Sequence, residues 1–227
     1  MKLLAIDTAT DACSAALLLD GEVRERFDVQ PRRHGALILG MMQGLLDEAG
    51  IGLADLDALA FGRGPGAFTG VRIAVGVAQG TAFGADLPLV GVSTLAALAQ
   101  GRFGAGGERR LLAAFDARMG ELYWGVYRID GEGLAQPLGA EQVAAPDRVQ
   151  IPQGGDWFGV GSGWAAQGDA LAQRLGARLL GVDPGRLCHA RNVAQLGAAA
   201  FARGKGVAAD RGLPVYLRDQ VAWAKAT

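Results

Sequence analysis

The chain has 227 residues, half of them apolar, with 22 basic and 23 acidic side chains and a net charge of −1. That length suits one large domain or two small ones with a sizeable core. The even charge argues against electrostatic capture of nucleic acid by the chain alone. No apolar run approaches the roughly 18 residues needed to span a bilayer. The opening residues Met1-Lys2-Leu3-Leu4-Ala5-Ile6-Asp7 run into an acid and two threonines where a signal peptide would continue. A cytoplasmic protein without a membrane partner is therefore expected. Cys13 and Cys188 have no CxxC spacing and read as buried, reduced thiols.

In chain order, residues 3–8 and 14–19 read as buried strands, and Asp20-Gly21 is a hairpin signal. Residues 23–29 alternate apolar and polar and make a third, half-exposed strand. A helix over 34–49 places Leu37, Ile38, Met41, Met42, Leu45 and Leu46 on one broad stripe, and Gly50 stops it. A strand at 58–61 leads into Gly62-Arg63-Gly64-Pro65-Gly66-Ala67-Phe68-Thr69-Gly70, then a helix over 71–85 with Thr69 as its expected N-cap. A strand at 89–92 and a helix over 93–100 follow. Residues 101–108, with four glycines, read as a linker.

Beyond that linker the pattern begins again. Residues 110–116 form a strand ending in Asp116, residues 120–129 a second strand, and Asp130-Gly131 a turn. Residues 131–156 are poorly patterned. Helices are expected near 164–175 and 190–203, and a polar tail contains Tyr216-Leu217-Arg218-Asp219. The order β-β-β-α-β-α-β-α, restarted in shortened form, is similar to the α/β actin-like ATPase fold (ribonuclease H-like) of sugar kinases and actin. Two lobes are expected: residues 1–104, and a reduced lobe over 105–227 whose last helix packs back on the first. In that superfamily the two Asp-bearing hairpins hold the phosphates and Mg²⁺ of ATP. Here Asp7, Thr8, Thr10 and Asp116 take the corresponding positions as a vestigial nucleotide cleft. Fold alone says little about activity.

The Gly-rich loop has two readings. Free N–H groups at the helix start could cradle an anion, or the glycines serve close backbone packing. Neither GK[ST] nor GxGxxG is present. His34 and His189 lie 155 positions apart without HxxxH spacing, so no metal site is expected. Ser14 and Ser93 lie outside GxSxG, and Cys188-His189 are adjacent in sequence, which does not set up a nucleophile and base. Gly159-Val160-Gly161-Ser162-Gly163 could be an adenosine loop or a plain turn. Gly76, Gly80 and Gly84 recur every four residues and share one helix face. Each costs about 1 kcal/mol relative to alanine, and close approach of another helix would offset that. With Leu37, Met41 and Leu45, they are the expected partner interface; packing inside the monomer is the alternative.

Several segments together resemble the bacterial TsaB (YeaZ) family. They are Leu4-Ala5-Ile6-Asp7-Thr8-Ala9-Thr10 with Cys13-Ser14-Ala15-Ala16-Leu17, the run from Gly62 to Ile73, and Gly91-Val92-Ser93-Thr94-Leu95. Phe115-Asp116-Ala117-Arg118-Met119-Gly120-Glu121-Leu122-Tyr123-Trp124 and Tyr216-Leu217-Arg218-Asp219 complete the match. Ala67 and Gly35 stand where family members often carry serine. The resemblance implies a scaffold role in tRNA threonylcarbamoyladenosine synthesis. In it a non-catalytic subunit supports its paralogue TsaD, which transfers threonylcarbamoyl from threonylcarbamoyl-AMP to the adenosine next to the anticodon, with the ATPase TsaE. It also implies a homodimer when alone, tRNA contact through the complex, no tightly bound cofactor, and ATP or ADP only within the complex. A small-molecule kinase or ATPase of the same fold is the rival reading.

Overall fold

A computed structural model describes residues 1–218; Asp219 of the C-terminal motif lies outside the described residues. The first sheet contains β1 (Lys2–Asp7), β2 (Cys13–Leu19), β3 (Glu22–Asp28), β4 (Ala58–Gly62) and β5 (Leu89–Val92), ordered β3-β2-β1-β4-β5. The β1-β2-β3 meander is antiparallel, while β4 and β5 run parallel to β1. Asp20 and Gly21 both have positive φ, 47° and 98°, and join β2 to β3 as a two-residue turn.

The period-two alternation of the central strands assigns each face to a different partner. Leu4, Ile6, Leu17, Leu59 and Phe61 face α1 (His34–Ala49) and α2 (Phe68–Ala85), with Ile38, Met42, Leu45, Val71 and Val75 packed on them. Ala5, Ala16, Ala58 and Ala60 occupy the opposite face. Such short side chains leave room for a helix to come close, and α5 (Ala190–Ala202) fills it, crossing β1, β2 and β4. At the crossing a Cβ on Gly197 would lie 2.6 Å from the Ala60 Cβ.

The second sheet holds β6 (Arg110–Arg118), β7 (Glu121–Ile129), β8 (Ala135–Pro137), β9 (Gln142–Ala144), β10 (Trp157–Val160) and β11 (Leu179–Asp183). Its order is β11-β10-β6-β7-β8, with β9 also on β7. The helix α4 (Ser162–Leu175) covers one face, where Trp124 and Trp164 meet at 6.0 Å between ring centroids. On the other face Leu111, Ala113, Phe115 and Tyr127 join α3 (Thr94–Gly106), α5 and the alanine face of the first sheet in one continuous core.

The structure differs from the sequence reading at four points. Residues 101–106 continue α3 rather than forming a linker, because Gly101 lets α3 lie close against Asn192 of α5. Residues 131–156 contain β8 and β9, too short for periodicity to reveal. The strand β11, edge-paired to β10, carries alternating exposure without a strong apolar pattern. The N-cap of α2 is Ala67, with no side-chain bond, so Thr69 does not cap.

Replacing Gly197 with Val should overpack the α5–sheet contact. The expected loss is about 1–3 kcal/mol in stability, read as a lower denaturant midpoint at unchanged slope.

Candidate functional site

The Gly-rich loop lies on the β1–β2 connection. A Cβ on Gly62 would meet the Asp7 carboxylate, one on Gly66 the Ala9 carbonyl, and one on Gly70 the Thr8 carbonyl. Gly64 has φ of +97°, a backbone conformation glycine adopts without strain. Thr8 Oγ1 donates to the Gly70 carbonyl at 2.7 Å, and the Ala67 N–H donates to Ala9 at 2.8 Å. The glycines therefore serve close backbone packing, and the Ala67 N–H is taken by the Ala9 carbonyl.

The four expected cleft groups are each engaged locally. Asp7 is fully buried; its Oδ1 accepts the Ala9 N–H at 3.1 Å and its Oδ2 has no partner. Burial pushes its carboxyl up to about 7, opposed by the Ala9 N–H and by His189. Thr8 is held as above, and Thr10 accepts the Ala12 N–H through Oγ1 and the His34 ring through its carbonyl. Asp116 pairs with Arg118 at 3.0 Å. In the Gly159–Gly163 run, Gly159 lies under the Trp164 ring, and Gly161 and Gly163 abut Ala114. Each of these glycines is thus required by close packing within the chain.

The remaining reactive groups are also occupied. Burial, then the charges of Asp7 and Asp28, raises the Cys13 thiol to about 11; burial and Asp7 raise Cys188 well above its ordinary value. Neither is a thiolate at neutral pH. The Ser14 hydroxyl accepts the Ala190 N–H at 2.9 Å. Ser93 caps α3 through the Ala96 N–H and donates to Glu141, which Tyr127 also bonds, so its hydroxyl is engaged in local hydrogen bonds. The His189 ring stacks on Phe27 at 4.1 Å and reaches Glu25 at 3.1 Å. Burial would raise Glu25, but hydrogen bonds from His189 and the Arg191 N–H hold it below the usual range. Among the described residues no group of three His, Cys, Asp or Glu is placed to hold a metal. None of the described helices is long and apolar enough to cross a membrane.

The outer face of α1 and α2 differs from these closed places. Gly76, Gly80 and Gly84 are exposed, and a Cβ at any of them would meet nothing within 4 Å. Leu37 and Met41 of α1 are half-buried against the core of the first sheet. Leu45, expected on this face, is 1% exposed and belongs to the core, because the stripe read from the sequence was wider than the accessible surface; Met42 is buried for the same reason. Leu39 and Phe83, 57% and 85% exposed, are apolar groups that the sequence reading missed. Phe83 lies three residues after Gly80, on the same helix face, and that spacing was a usable signal. At the start of α2, Arg72 lies 3.7 Å over the Phe68 ring and bonds the Tyr216 hydroxyl at 2.9 Å, tying the C-terminal segment to α2.

Comparison with known proteins decides the family. The chain is 47% identical to the tRNA threonylcarbamoyladenosine biosynthesis protein TsaB of Escherichia coli strain K12, covering 99% of this chain and 98% of that protein. The Haemophilus influenzae TsaB is 39% identical, with 99% and 97% covered. The chain belongs to the TsaB family. The solved structure of YeaZ from Pseudomonas aeruginosa, 48% identical, superposes with a TM-score of 0.89 over 95% of this chain and 99% of that one. Residues 28–226 also match the family model TsaD, described as tRNA N6-adenosine threonylcarbamoyltransferase. TsaB and that transferase family thus share the actin-like, ribonuclease H-like fold seen here.

The buried Asp7 of this TsaB-family chain sets a pH test. Its carboxyl ionises near 3.8 when unfolded and near 7 when folded. The folded state therefore holds the extra proton between these values, and stability falls as pH rises from about 4 to 7 and is then level. Asp7→Asn, which mimics the neutral acid, should remove that slope. The difference in unfolding free energy between variant and parent should grow in favour of Asn toward pH 8, by up to about 4 kcal/mol. Urea titrations at several pH values measure it.

Proposed function

We propose that this chain is a non-catalytic subunit in tRNA threonylcarbamoyladenosine synthesis, docking through the outer face of α1 and α2 onto the transferase subunit TsaD. When alone, the same face pairs two copies. The ATPase TsaE joins the assembly, and tRNA and ATP or ADP are engaged by the complex rather than by this chain. The cytoplasm is its place of action.

The observation that carries this reading is the open space over Gly76, Gly80 and Gly84. Three glycines in an 18-residue helix cost about 1 kcal/mol each, and no neighbour among the described residues requires them. Close approach of a helix from outside does. The matched transferase model spans residues 28–226 and so includes both helices. A paralogue of like fold presents a matching pair, and one surface can then serve a hetero- and a homodimer. Leu39 and Phe83 supply apolar area on the same side. The non-catalytic part of the reading is supported by the engagement of Asp7, Cys13, Cys188, His34, His189, Ser14 and Ser93 in packing and local bonds.

Two outcomes are expected. Supplied with threonylcarbamoyl-AMP and tRNA, the purified chain transfers nothing by itself and raises turnover when TsaD is added; transfer by the chain alone would overturn the non-catalytic reading. Gly80→Leu, whose side chain meets open space in the monomer, should leave the melting temperature equal or higher. It should weaken the TsaD complex about tenfold to hundredfold in size exclusion and titration calorimetry. Binding at full strength would move the interface elsewhere.

A further inference from the structure

The segment after α5 returns along the outer edge of β5 and is pinned in two places. Leu89 and Val207 exchange backbone hydrogen bonds of 2.8 and 2.9 Å, and the Val215 N–H donates to the Arg63 carbonyl at 2.8 Å. Between the pins lies a cavity of about 350 Å³. Val207 and Leu213 give it exposed apolar surface, Arg63, Lys205 and Arg211 line it with cationic side chains, and among the described residues no carboxylate lines it.

This arrangement is out of keeping with a chain of net charge −1. Arg63 is held from several sides: its N–H donates to Val92 at 2.9 Å, and its stem lies over Gly91, where a Cβ would come within 3.2 Å of Cδ. Its Nε is buried and has no hydrogen-bond partner among the described residues. Neither Lys205 nor Arg211 forms an ion pair among the described residues. Three cations around one concavity repel one another, and a buried guanidinium nitrogen without an acceptor is costly. A multiply charged anion relieves both. Arginine forks and a lysine ammonium match phosphoryl oxygens, and the size lies within the range of small-ligand pockets.

We propose that this cavity binds a small organic phosphate. Arg63, Lys205 and Arg211 hold its phosphoryl group, and its organic part rests on Val207 and Leu213. The site is separate from the α1/α2 face, so its fate and that of the docking reading are decided independently.

Titration calorimetry of the full chain with adenosine monophosphate, pyrophosphate and tRNA, each at about 0.15 M salt, tests this. Adenosine monophosphate is expected to bind at one site, more tightly than pyrophosphate. Lys205→Ala and Arg211→Ala, both at exposed positions, should each weaken it roughly tenfold without lowering the melting temperature. Arg63→Met, which keeps the stem over Gly91, should abolish it. Amide shifts on titration should centre on Val90, Gly91 and Leu213. The proposal is overturned if adenosine monophosphate does not bind, or if its affinity is unchanged in all three variants. Equal affinity for pyrophosphate would remove the organic subsite, and binding of tRNA alone would replace the small molecule with a nucleic-acid phosphate.

Discussion

The approach of α5 to the alanine-lined face of the first sheet is the packing on which the rest of the molecule depends. Ala5, Ala16, Ala58 and Ala60 keep that face flat, and Gly197 lets the helix backbone come close over Ala60. Because α5 follows the second sheet in the chain, its return fixes one lobe against the other. The core is therefore shared: Leu3 and Val90 of the first sheet, Leu95 and Leu98 of α3, Leu111 and Tyr127 of the second sheet, and Val193 and Leu196 of α5 form one cluster. Polar ties cross the same region, with Gln100 of α3 accepting the Ala135 N–H at 2.9 Å and donating to Gly133 at 2.9 Å.

With one face taken by α5, the other face of the first sheet belongs to α1 and α2, whose inner residues are consumed by Leu4, Ile6, Leu59 and Phe61. Only the outer sides of these two helices stay open, and there glycine and alanine alternate with a few large apolar groups. In the cleft, by contrast, closure is the rule. Backbone carbonyls, the Trp164 ring and Ala114 lie where a side chain on the glycines of these two runs would have to go. The same small residues thus have opposite meanings in two places: at Gly66 and Gly70 they admit the chain's own hairpin, while at Gly76 and Gly80 they face nothing among the described residues.

Legibility in the sequence followed the strength of local pattern. Continuous apolar runs located β1, β2 and β4, and the Asp20-Gly21 signal located the first hairpin, because these depend on neighbours in sequence. The continuation of α3 through Gly101 was hidden, since it rests on Asn192, ninety positions away. The strands β8 and β9, three residues each, carry too little pattern to register. For the site, spacing of four identified the glycine face correctly as a shared stripe, but it could not tell exposed from buried on α1, and Leu45 fell on the wrong side. The cavity beside β5 was not legible at all: Arg63, Lys205 and Arg211 come together only because residues 205–215 run back along an edge strand.

The return of α5 also has a consequence for biosynthesis. Residues of β1 emerge from the ribosome well before the helix that covers their alanine face, which is made almost two hundred residues later. At about 5–20 residues per second that interval is roughly 10–40 s. During it the meander and its parallel partners can pair and receive α1 and α2, while the opposite face stays uncovered. The first lobe therefore spends its synthesis as a one-sided sheet, and a chain stopped before residue 190 would leave that face open to other proteins. Closure of this face is set by the arrival of α5 rather than by the strands on which it rests.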